Sequence, residues 1–324
     1  MVPTRLMPRL VPRLLHRLMP AAALGLVLTG QASIARTLEV GNGKEYKLPS
    51  DAIAAAKTGD VVQIQPGEYF DCATVRANRV VIEGVGDPSK VVITDKACGG
   101  KGLLIITGND ITVRNLTLTR ARVPDNNGAG IRGEAPNLTV DGVRFINNQN
   151  GILAGSETPG TLTVRNSLFE RNGACVNGSG CAHGIYASSV MLLHVEGSTF
   201  IGTKSGHHIK SRAQRTEVID CTITDGPEGT SSYLIEAPNG GTVIIRGNKM
   251  EKGPESENRS AAIVIGAEGV TQPTREILID NNVFRNDSSG QTMFVNNLTA
   301  TEATLTGNKL SGPVKPLGGD GKVR

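Results

Sequence analysis

Eight segments of this chain repeat one short pattern of residue types, with successive copies 23 to 34 residues apart. Each copy has an apolar anchor, a bend residue two positions later, and a second apolar residue five positions after the anchor. The bend column contains only Asn, Gly and Asp, the residue types that best tolerate left-handed backbone at a tight turn. The anchors are Val113, Val140, Val164, Val195, Val218, Ile245, Ile279 and Leu305; the bend residues are Asn115, Gly142, Asn166, Gly197, Asp220, Gly247, Asn281 and Gly307; the second apolar residues are Leu118, Phe145, Phe169, Phe200, Ile223, Met250, Phe284 and Leu310.

The period and the composition of these copies indicate a solenoid of β-strands. Self-similarity at this spacing is typical of repeat architectures, and the longer steps add only polar, Gly-rich loops. The apolar runs, such as ITVRNLTL and LTVRNSLF, are short and β-branched, which favours strands over helices. A leucine-rich repeat would need several leucines per copy and a consistent helical stretch, and neither is present. We therefore predict an all-β fold, a single-stranded right-handed parallel β-helix.

The first 35 residues are predicted to be a secretory signal peptide, outside the fold. Four arginines precede a short apolar run at 21–28, and Ser33 and Ala35 offer a cleavage site. The run is too short to remain as a membrane span after cleavage. We expect a periplasmic or secreted protein.

The β-helix domain is predicted over residues 36–310, and it begins with a short capping helix. This helix is expected to start near Ser50 and Asp51, with Ser50 as its N-cap, and to stop at Gly59. It would cover the open end of the coil, where unpaired strand edges invite aggregation. The Gly- and Pro-rich residues 311–324 are expected to be a flexible tail.

Charge and cysteine content restrict the partners and the compartment. The formal net charge of +4 falls to zero without the four signal-peptide arginines, so nucleic acid is not an expected partner. Five cysteines in an exported chain suggest two disulfides, Cys72 with Cys98 and Cys175 with Cys181, and a packed free thiol at Cys221. A monomer is expected.

A second strand precedes each anchor, and its outward side chains form the candidate site. These strands read GIRGE, GILAG, HGIYAS, HHIKSR, YLIEAP and AIVIGA. With Ile209 pointing inward, alternation places His208 and Lys210 outward, with Arg212 on or just beyond that face. Stacking of the coils would add His183, Tyr186, His207, Tyr233 and, with Ile235 inside, Glu236 beside Lys210.

The chain resembles the pectate-lyase-like family of right-handed parallel β-helix proteins, from AIAAAKTGDVVQIQPGEY through the coil repeats. That superfamily includes polysaccharide lyases, hydrolases, epimerases and adhesins. The Lys210-Ser211 step resembles the catalytic lysine segment of alginate-lyase and chondroitinase-type β-helix lyases. Those enzymes carry an arginine about one coil later, but YLIEAPNGG has none, so Arg212 or Arg246 would have to substitute. Their acidic calcium ligands are not evident in HGIYAS, so no cofactor is assigned and calcium stays an open option.

These residues predict a lyase that cleaves an acidic, uronate polysaccharide by β-elimination. Lys210 is the predicted base, with a pKa lowered by neighbouring cations. His208 and Arg212 would bind or neutralise the substrate carboxylate, and Tyr186 or His183 would protonate the leaving oxygen. We assign substrate binding to His207, Tyr233 and Glu236.

Three alternatives stay open, and two others are disfavoured. A C5-epimerase would use the same proton abstraction, a non-catalytic β-helix could bind or scaffold an envelope polysaccharide, and HHIKSRAQR could be no more than a solvated charged edge. Hydrolysis needs two carboxyl groups at a defined separation, and Glu134, Glu236 and Glu268 are expected on widely spaced coils. A zinc site is disfavoured because His207 and His208 are adjacent on a strand and point to opposite faces.

Overall fold

The computed structural model describes residue 1 and residues 35–175 and 180–324 of the chain. Residues 2–34 of the predicted signal peptide lie outside the described residues. In the described part, no helix combines the length and apolarity needed to cross a membrane.

The described chain winds through three parallel sheets, named A, B and C in the order in which each coil visits them. Sheet A contains Thr37–Val40, Val61–Ile64, Val81–Gly84, Ile111–Arg114, Leu138–Asp141, Thr161–Arg165, Leu192–Glu196, Arg215–Ile219, Thr242–Arg246, Ile277–Asp280, Ala303–Thr306 and Gly321–Val323. Sheet B contains Gly67–Asp71, Val91–Asp95, Thr117–Thr119, Arg144–Ile146, Leu168–Glu170, Thr199–Ile201, Thr222–Thr224, Lys249–Lys252, Val283–Asn286 and Lys309–Ser311. Sheet C contains Ala73–Val75, Gly102–Ile106, Ala129–Gly133, Asn150–Ala154, Ile185–Ala187, Ile209–Ser211, Ile235–Ala237, Ala261–Ile265, Thr292–Asn297 and Val314–Gly318. An α-helix at Pro49–Ala55 and a 3-10 turn at Pro88–Lys90 complete the elements.

The repeated pattern is the corner between sheets A and B. All eight anchors pair in register along sheet A, and all eight second apolar residues pair in register along sheet B. The bend residues between them all have φ between 50° and 69°. The left-handed bend predicted from the Asn, Gly and Asp column is therefore confirmed, as is the β-helix.

Side chains stack inside the coil as the backbone stacks around it. Phe145, Phe169 and Phe200 are fully buried, with ring centroids 4.6 and 4.5 Å apart. Their predicted role in core packing is confirmed. Next to the bend column, Asn282 Oδ1 accepts the Asn248 N–H at 2.9 Å, and Asn308 Oδ1 accepts the Asn282 N–H at 3.0 Å. These amides satisfy backbone donors that the corner leaves unpaired.

The capping helix is present and begins beside Ser50 as predicted, but its predicted end at Gly59 and its predicted cap are wrong. It runs from Pro49 to Ala55, and Leu48 at the N-cap position supplies no side-chain hydrogen bond. Ser50 lies inside the helix, where its N–H donates to Asp71 Oδ2 at 2.7 Å. The sequence predicted that the Ser50 hydroxyl would accept from the first turn of the helix. The Asp71 carboxylate of sheet B accepts from this turn instead, because the helix packs directly on the coil.

The expected flexible tail, residues 311–324, instead completes the C-terminal end of the coil. Val314–Gly318 pairs with Thr292–Asn297 in sheet C, and Gly321–Val323 pairs with Ala303–Thr306 in sheet A. The expectation of a flexible tail was wrong because composition does not reveal that the preceding strands offer unpaired backbone groups to this segment.

The predicted cysteine chemistry is confirmed. Cys72 is bonded to Cys98, and Cys175 is bonded to Cys181. Cys221 is a free, buried thiol in the repeat pattern, and burial raises its pKa to about 12. It is therefore inert at neutral pH.

Lys252 is a charged side chain among the fully buried residues. Lys252, at the end of a sheet B strand, is fully buried, and its Nζ donates to the Ser232 carbonyl oxygen at 2.6 Å. Burial lowers the pKa of Lys252 to about 8, against the opposing influence of Asp225 and Glu251. The folded protein therefore gives up this proton at a lower pH than the unfolded chain does.

Because the pKa of Lys252 is lower in the folded protein than in the unfolded chain, we predict that the free energy of unfolding increases from about pH 8 toward the ordinary lysine pKa near 10. In that range the unfolded chain binds the Lys252 proton and the folded chain does not. Lys252→Met should abolish the rise, as measured by urea unfolding at each pH. Lys249→Met, which removes an exposed lysine from the same strand, should leave the rise in place. The Cys221 thiol acts in the opposite direction above about pH 9. Because both variants retain Cys221, the test compares how the free energy of unfolding changes with pH in Lys252→Met and in Lys249→Met. The same pH dependence in both variants would contradict the prediction.

Candidate functional site

The outward row predicted on sheet C is present, and its centre is Lys210. Tyr186 pairs with Lys210 on one neighbouring strand, and Glu236 pairs with Lys210 on the other. Because parallel strands lie about 4.8 Å apart, residues far apart in the sequence form one continuous row. The register that places Ile235 inside and Glu236 beside Lys210 is confirmed.

Two carboxylates converge on the Lys210 ammonium. Its Nζ lies 2.9 Å from Glu236 Oε2 and 2.6 Å from Glu268 Oε1. Glu236 is 5% exposed and lies beneath the lysine, whereas Glu268 is 40% exposed and reaches it from the surface. The sequence predicts these carboxylates on widely spaced coils. That prediction is wrong, because Glu268 lies in the segment after Ala261–Ile265, the strand that pairs with the strand of Glu236.

Arg212 completes the cationic side of the row. Its guanidinium pairs with Glu268 and with the Asn239 side-chain oxygen, and its Nε–H donates to the Tyr186 hydroxyl oxygen at 3.0 Å. The guanidinium carbon lies 5.9 Å from the centre of the Tyr186 ring, within cation–π range. Glu268 therefore bridges Lys210 and Arg212 with its two oxygens. Arg246, the other candidate for the expected arginine, pairs with Asp280 on sheet A, away from this row.

A ladder of aromatic rings runs beside the charged row. The His183 and His207 rings stack with centroids 4.9 Å apart, and the His207 and Tyr233 rings stack at 5.2 Å. His183 Nδ1 accepts the His207 N–H at 3.0 Å, and His207 Nδ1 accepts the Tyr233 N–H at 3.1 Å. These contacts leave the ring proton on Nε2 of each neutral histidine. A side chain at Gly206 would lie 2.9 Å from His183 Nδ1, so the ladder also requires that glycine.

The ladder fixes the chemical state of His183. Burial lowers the pKa of His183 well below its ordinary value, and His207, Lys210 and Arg212 add to this effect. The ring is therefore neutral at pH 7 and presents Nε2–H as a hydrogen-bond donor. His207 Nε2 lies 3.0 Å from Glu236 Oε2, the same carboxylate oxygen that lies 2.9 Å from Lys210 Nζ.

The predicted lowering of the Lys210 pKa is wrong. Burial does act to lower the pKa of Lys210, but the contacts with Glu268 and Glu236 outweigh it and the pKa is raised. Burial likewise acts to raise the pKa values of Glu236 and Glu268, but His207 and Lys210 lower the pKa of Glu236, and Lys210 and Arg212 lower the pKa of Glu268. In the free protein the cluster is thus an ammonium held between two carboxylates.

His208 is not on the outward face, which corrects a second prediction. It precedes the strand Ile209–Ser211, where strict alternation does not apply, and it is fully buried against the edge of Phe200. Its Nδ1 lies 2.8 Å from Thr203 Oγ1, and its Nε2 lies 2.9 Å from Asp225 Oδ1. No substrate atom can reach it there, so His208 is not assigned to the site.

The carboxylate that His208 contacts ties together the loops beside the row. Asp225 Oδ2 accepts from the Gly253 N–H at 3.1 Å and from the Ser256 hydroxyl at 2.6 Å. Burial acts to raise the pKa of Asp225, but His208 and Lys252 reverse this and the pKa is lowered. The ionised carboxylate therefore contributes stability that is complete above the ordinary carboxyl pKa and is lost as the pH falls below it.

The row and the ladder line an open groove of about 370 Å³. Five of the predicted site residues reach its wall: His183, Tyr186, His207, Lys210 and Arg212. Glu236 lies beneath Lys210, and Tyr233 extends the ladder behind His207. The groove adds Glu268, which the sequence analysis had not assigned to the site. The predicted outward position of Glu268 was consistent with a place in the site. Its contact with Arg212, however, spans 56 residues and could not be predicted from local spacing.

The acidic residues of the groove do not fit a calcium ion. Calcium takes six to eight oxygen ligands, largely carboxylates and carbonyls. Glu236 is engaged by His207 and Lys210, and Glu268 is engaged by Lys210 and Arg212. Glu257, which also lines the groove, accepts from the Ser205 hydroxyl. Within residues 35–175 and 180–324 no three His, Cys, Asp or Glu side chains are placed to hold a metal ion.

Comparison with known proteins supports the fold. Residues 176–319 match the family described as the right-handed β-helix region. An alginate lyase from Paenibacillus sp. is similar over 88% of this chain and 99% of its own, with a TM-score of 0.58 and 16% identity. A pectate lyase is similar over 88% of this chain and 79% of its own, with a TM-score of 0.51 and 13% identity. No curated protein sequence matches this chain. The right-handed parallel β-helix predicted from the sequence is therefore confirmed.

The buried position of His208 predicts a structural effect on replacement. His208→Ala should lower the free energy of unfolding by about 1–3 kcal/mol, because Thr203 and Asp225 lose a buried partner. His194→Ala removes a more exposed histidine that pairs with Glu217 on sheet A, and should cost less than about 1 kcal/mol. Urea unfolding with an unchanged m-value measures both. Equal stability of His208→Ala and the wild type would contradict this role.

Proposed function

We propose that this right-handed parallel β-helix protein acts on an acidic polysaccharide, as a lyase that cleaves uronate linkages by β-elimination. The observation that carries the proposal is the Lys210–Arg212 pair, which holds one carboxylate between two cations in an open groove beside the Tyr186 hydroxyl. A uronate carboxylate is the group of an acidic glycan that such a pair recognises. The likeness to an alginate lyase and a pectate lyase supports a polysaccharide ligand through the fold alone.

The elimination makes three demands on the site. The C5–H bond next to the uronate carboxylate breaks and its proton goes to a base. The electron pair forms the C4–C5 double bond, the C4–O bond breaks, and the leaving oxygen takes a proton from an acid. The negative charge that develops on the carboxylate must meanwhile be stabilised.

The residues of the groove can divide these roles. Arg212 stabilises the carboxylate, and His183 donates its Nε2–H as a neutral ring. Tyr186 is the proposed acid, since its oxygen already accepts from Arg212 Nε–H and keeps its own proton for the leaving oxygen. Lys210 is the proposed base. It must first release its proton, which burial under a bound glycan favours and the two glutamates oppose.

The same geometry disfavours hydrolysis. Glu236 and Glu268 do come together at Lys210, so two carboxyl groups are available at one place. A glycoside hydrolase, however, needs one carboxyl group with a raised pKa as its general acid. His207 and Lys210 lower the pKa of Glu236, and Lys210 and Arg212 lower the pKa of Glu268, so both glutamates stay ionised.

The proposal predicts ultraviolet-absorbing unsaturated sugar ends when the protein is incubated with a panel of uronate polysaccharides. Lys210→Met and Tyr186→Phe should each lower kcat/KM by about 10²–10⁴-fold, the usual contribution of a general acid or base. The matched control is Lys322→Met, because Lys322 also pairs with a glutamate but lies in the last strand of sheet A. It should retain the wild-type rate. Thermal unfolding of each variant separates loss of chemistry from loss of fold.

Two other outcomes select the alternatives. Exchange of the C5 proton without chain cleavage would assign a C5-epimerase. Absence of product across the panel, with Lys210→Met binding glycan as the wild type does, would contradict catalysis and assign a polysaccharide-binding β-helix.

A further inference from the structure

Glu268 differs from the other charged residues of the groove in how it is held. It lies in the segment after the strand Ala261–Ile265, and its carboxylate is 40% exposed, against 5% for Glu236. Its backbone is anchored, because the Glu268 N–H donates to the Pro238 carbonyl and the Asn239 side chain donates to the Gly269 carbonyl. The carboxylate can therefore leave its partners by a side-chain rotation alone, without a backbone movement.

The partners of Glu268 are less exposed than Glu268 itself. The Lys210 side chain is 12% exposed and the Arg212 side chain is 27% exposed. Half-buried cations are costly to leave without an anion, whereas an exposed carboxylate is readily rehydrated. The position between Lys210 and Arg212 thus calls for a carboxylate, and the exposed one now there is the easiest to exchange.

We propose that Glu268 is an internal occupant of the carboxylate subsite, which a carboxylate of the acidic ligand displaces when it binds. The subsite lies between Lys210 Nζ and the Arg212 guanidinium, and it takes one carboxylate in place of Glu268. This assignment rests on the proposed function for the identity of the glycan, but the subsite itself is defined by the two cations.

Displacement also changes the surroundings of Lys210. Two carboxylates, Glu236 and Glu268, face Lys210 and favour its ammonium form. The other charged and titratable groups around Lys210 are Arg212, His183, His207 and Tyr186. Departure of Glu268 removes one of the two carboxylates. An incoming carboxylate that pairs with Arg212 without contacting Lys210 would leave Lys210 with Glu236 alone, while the bound ligand buries the amine further.

The test vacates the subsite and offers it a small carboxylate. Reductive methylation with formaldehyde reports the neutral fraction of Lys210, read by mass spectrometry of its peptide. Loss of a nearby opposite charge changes a pKa by at least about one. Glu268→Ala should therefore be methylated at Lys210 about tenfold faster than the wild type at the same pH. Acetate should slow this reaction in Glu268→Ala and leave the wild type unchanged, because only the variant has a free subsite.

Two controls make the result specific. Acetamide, a neutral molecule of the same shape, should not protect Lys210 in Glu268→Ala. Glu302→Ala removes an exposed carboxylate that pairs with Lys322, and should leave both the methylation of Lys210 and its response to acetate at wild-type values. Wild-type methylation of Lys210 in Glu268→Ala, or protection by acetamide equal to that by acetate, would overturn the proposal.

The glycan arm separates this inference from the proposed function. If the protein is a lyase, Glu268→Ala should show a severalfold lower KM for the acidic polysaccharide, and acetate should inhibit the variant competitively but not the wild type. Acetate protection without cleavage of any glycan would retain the subsite and contradict the lyase. Cleavage with an unchanged KM and no acetate effect would retain the lyase and contradict the displacement.

Discussion

The structure depends on one constraint: eight successive coils turn through the same left-handed bend, so that their strands hydrogen-bond in register with the coils on either side. The eight bend residues adopt this conformation with φ between 50° and 69°, and the apolar residues before and after them stack in unbroken rows. A one-residue slip would move each row to the opposite face of its sheet. Register is therefore fixed by the core, and the outward rows inherit it.

This inheritance explains how a charged cluster arises from distant segments. Tyr186, Lys210 and Glu236 are neighbours because the isoleucines beside them are stacked inside the coil. The backbone also positions the histidine ladder, since each Nδ1 accepts an N–H from the next coil. The site residues are thus held by the same coil-to-coil hydrogen bonding that builds the fold, and their spacing follows the strand spacing.

Predictions from the sequence were correct for features that the repeat determines and wrong for residues that lie outside the repeated strands. The coil register, the phenylalanine stack, both disulfides and the row around Lys210 follow from the repeat or from cysteine spacing. His208 was misplaced because it precedes its strand, where alternation no longer decides which way a side chain points. Ser50 and the C-terminal strands were misjudged because their partners, Asp71 and the strand edges, come from other coils. Glu268 was missed for the same reason.

The electrostatics of the groove show why residue identity alone misjudged Lys210. Cations near a lysine disfavour its charge, and the sequence-based prediction counted Arg212 and a flanking histidine on that basis. His183, however, is neutral, because burial and its cationic neighbours exclude the proton, so it adds no charge against Lys210. The two glutamates then determine the balance, and the ammonium is stable in the free protein. Base strength at Lys210 is therefore a property of the ligand-bound groove, since it depends on which carboxylate lies beside the amine and on how much water remains there.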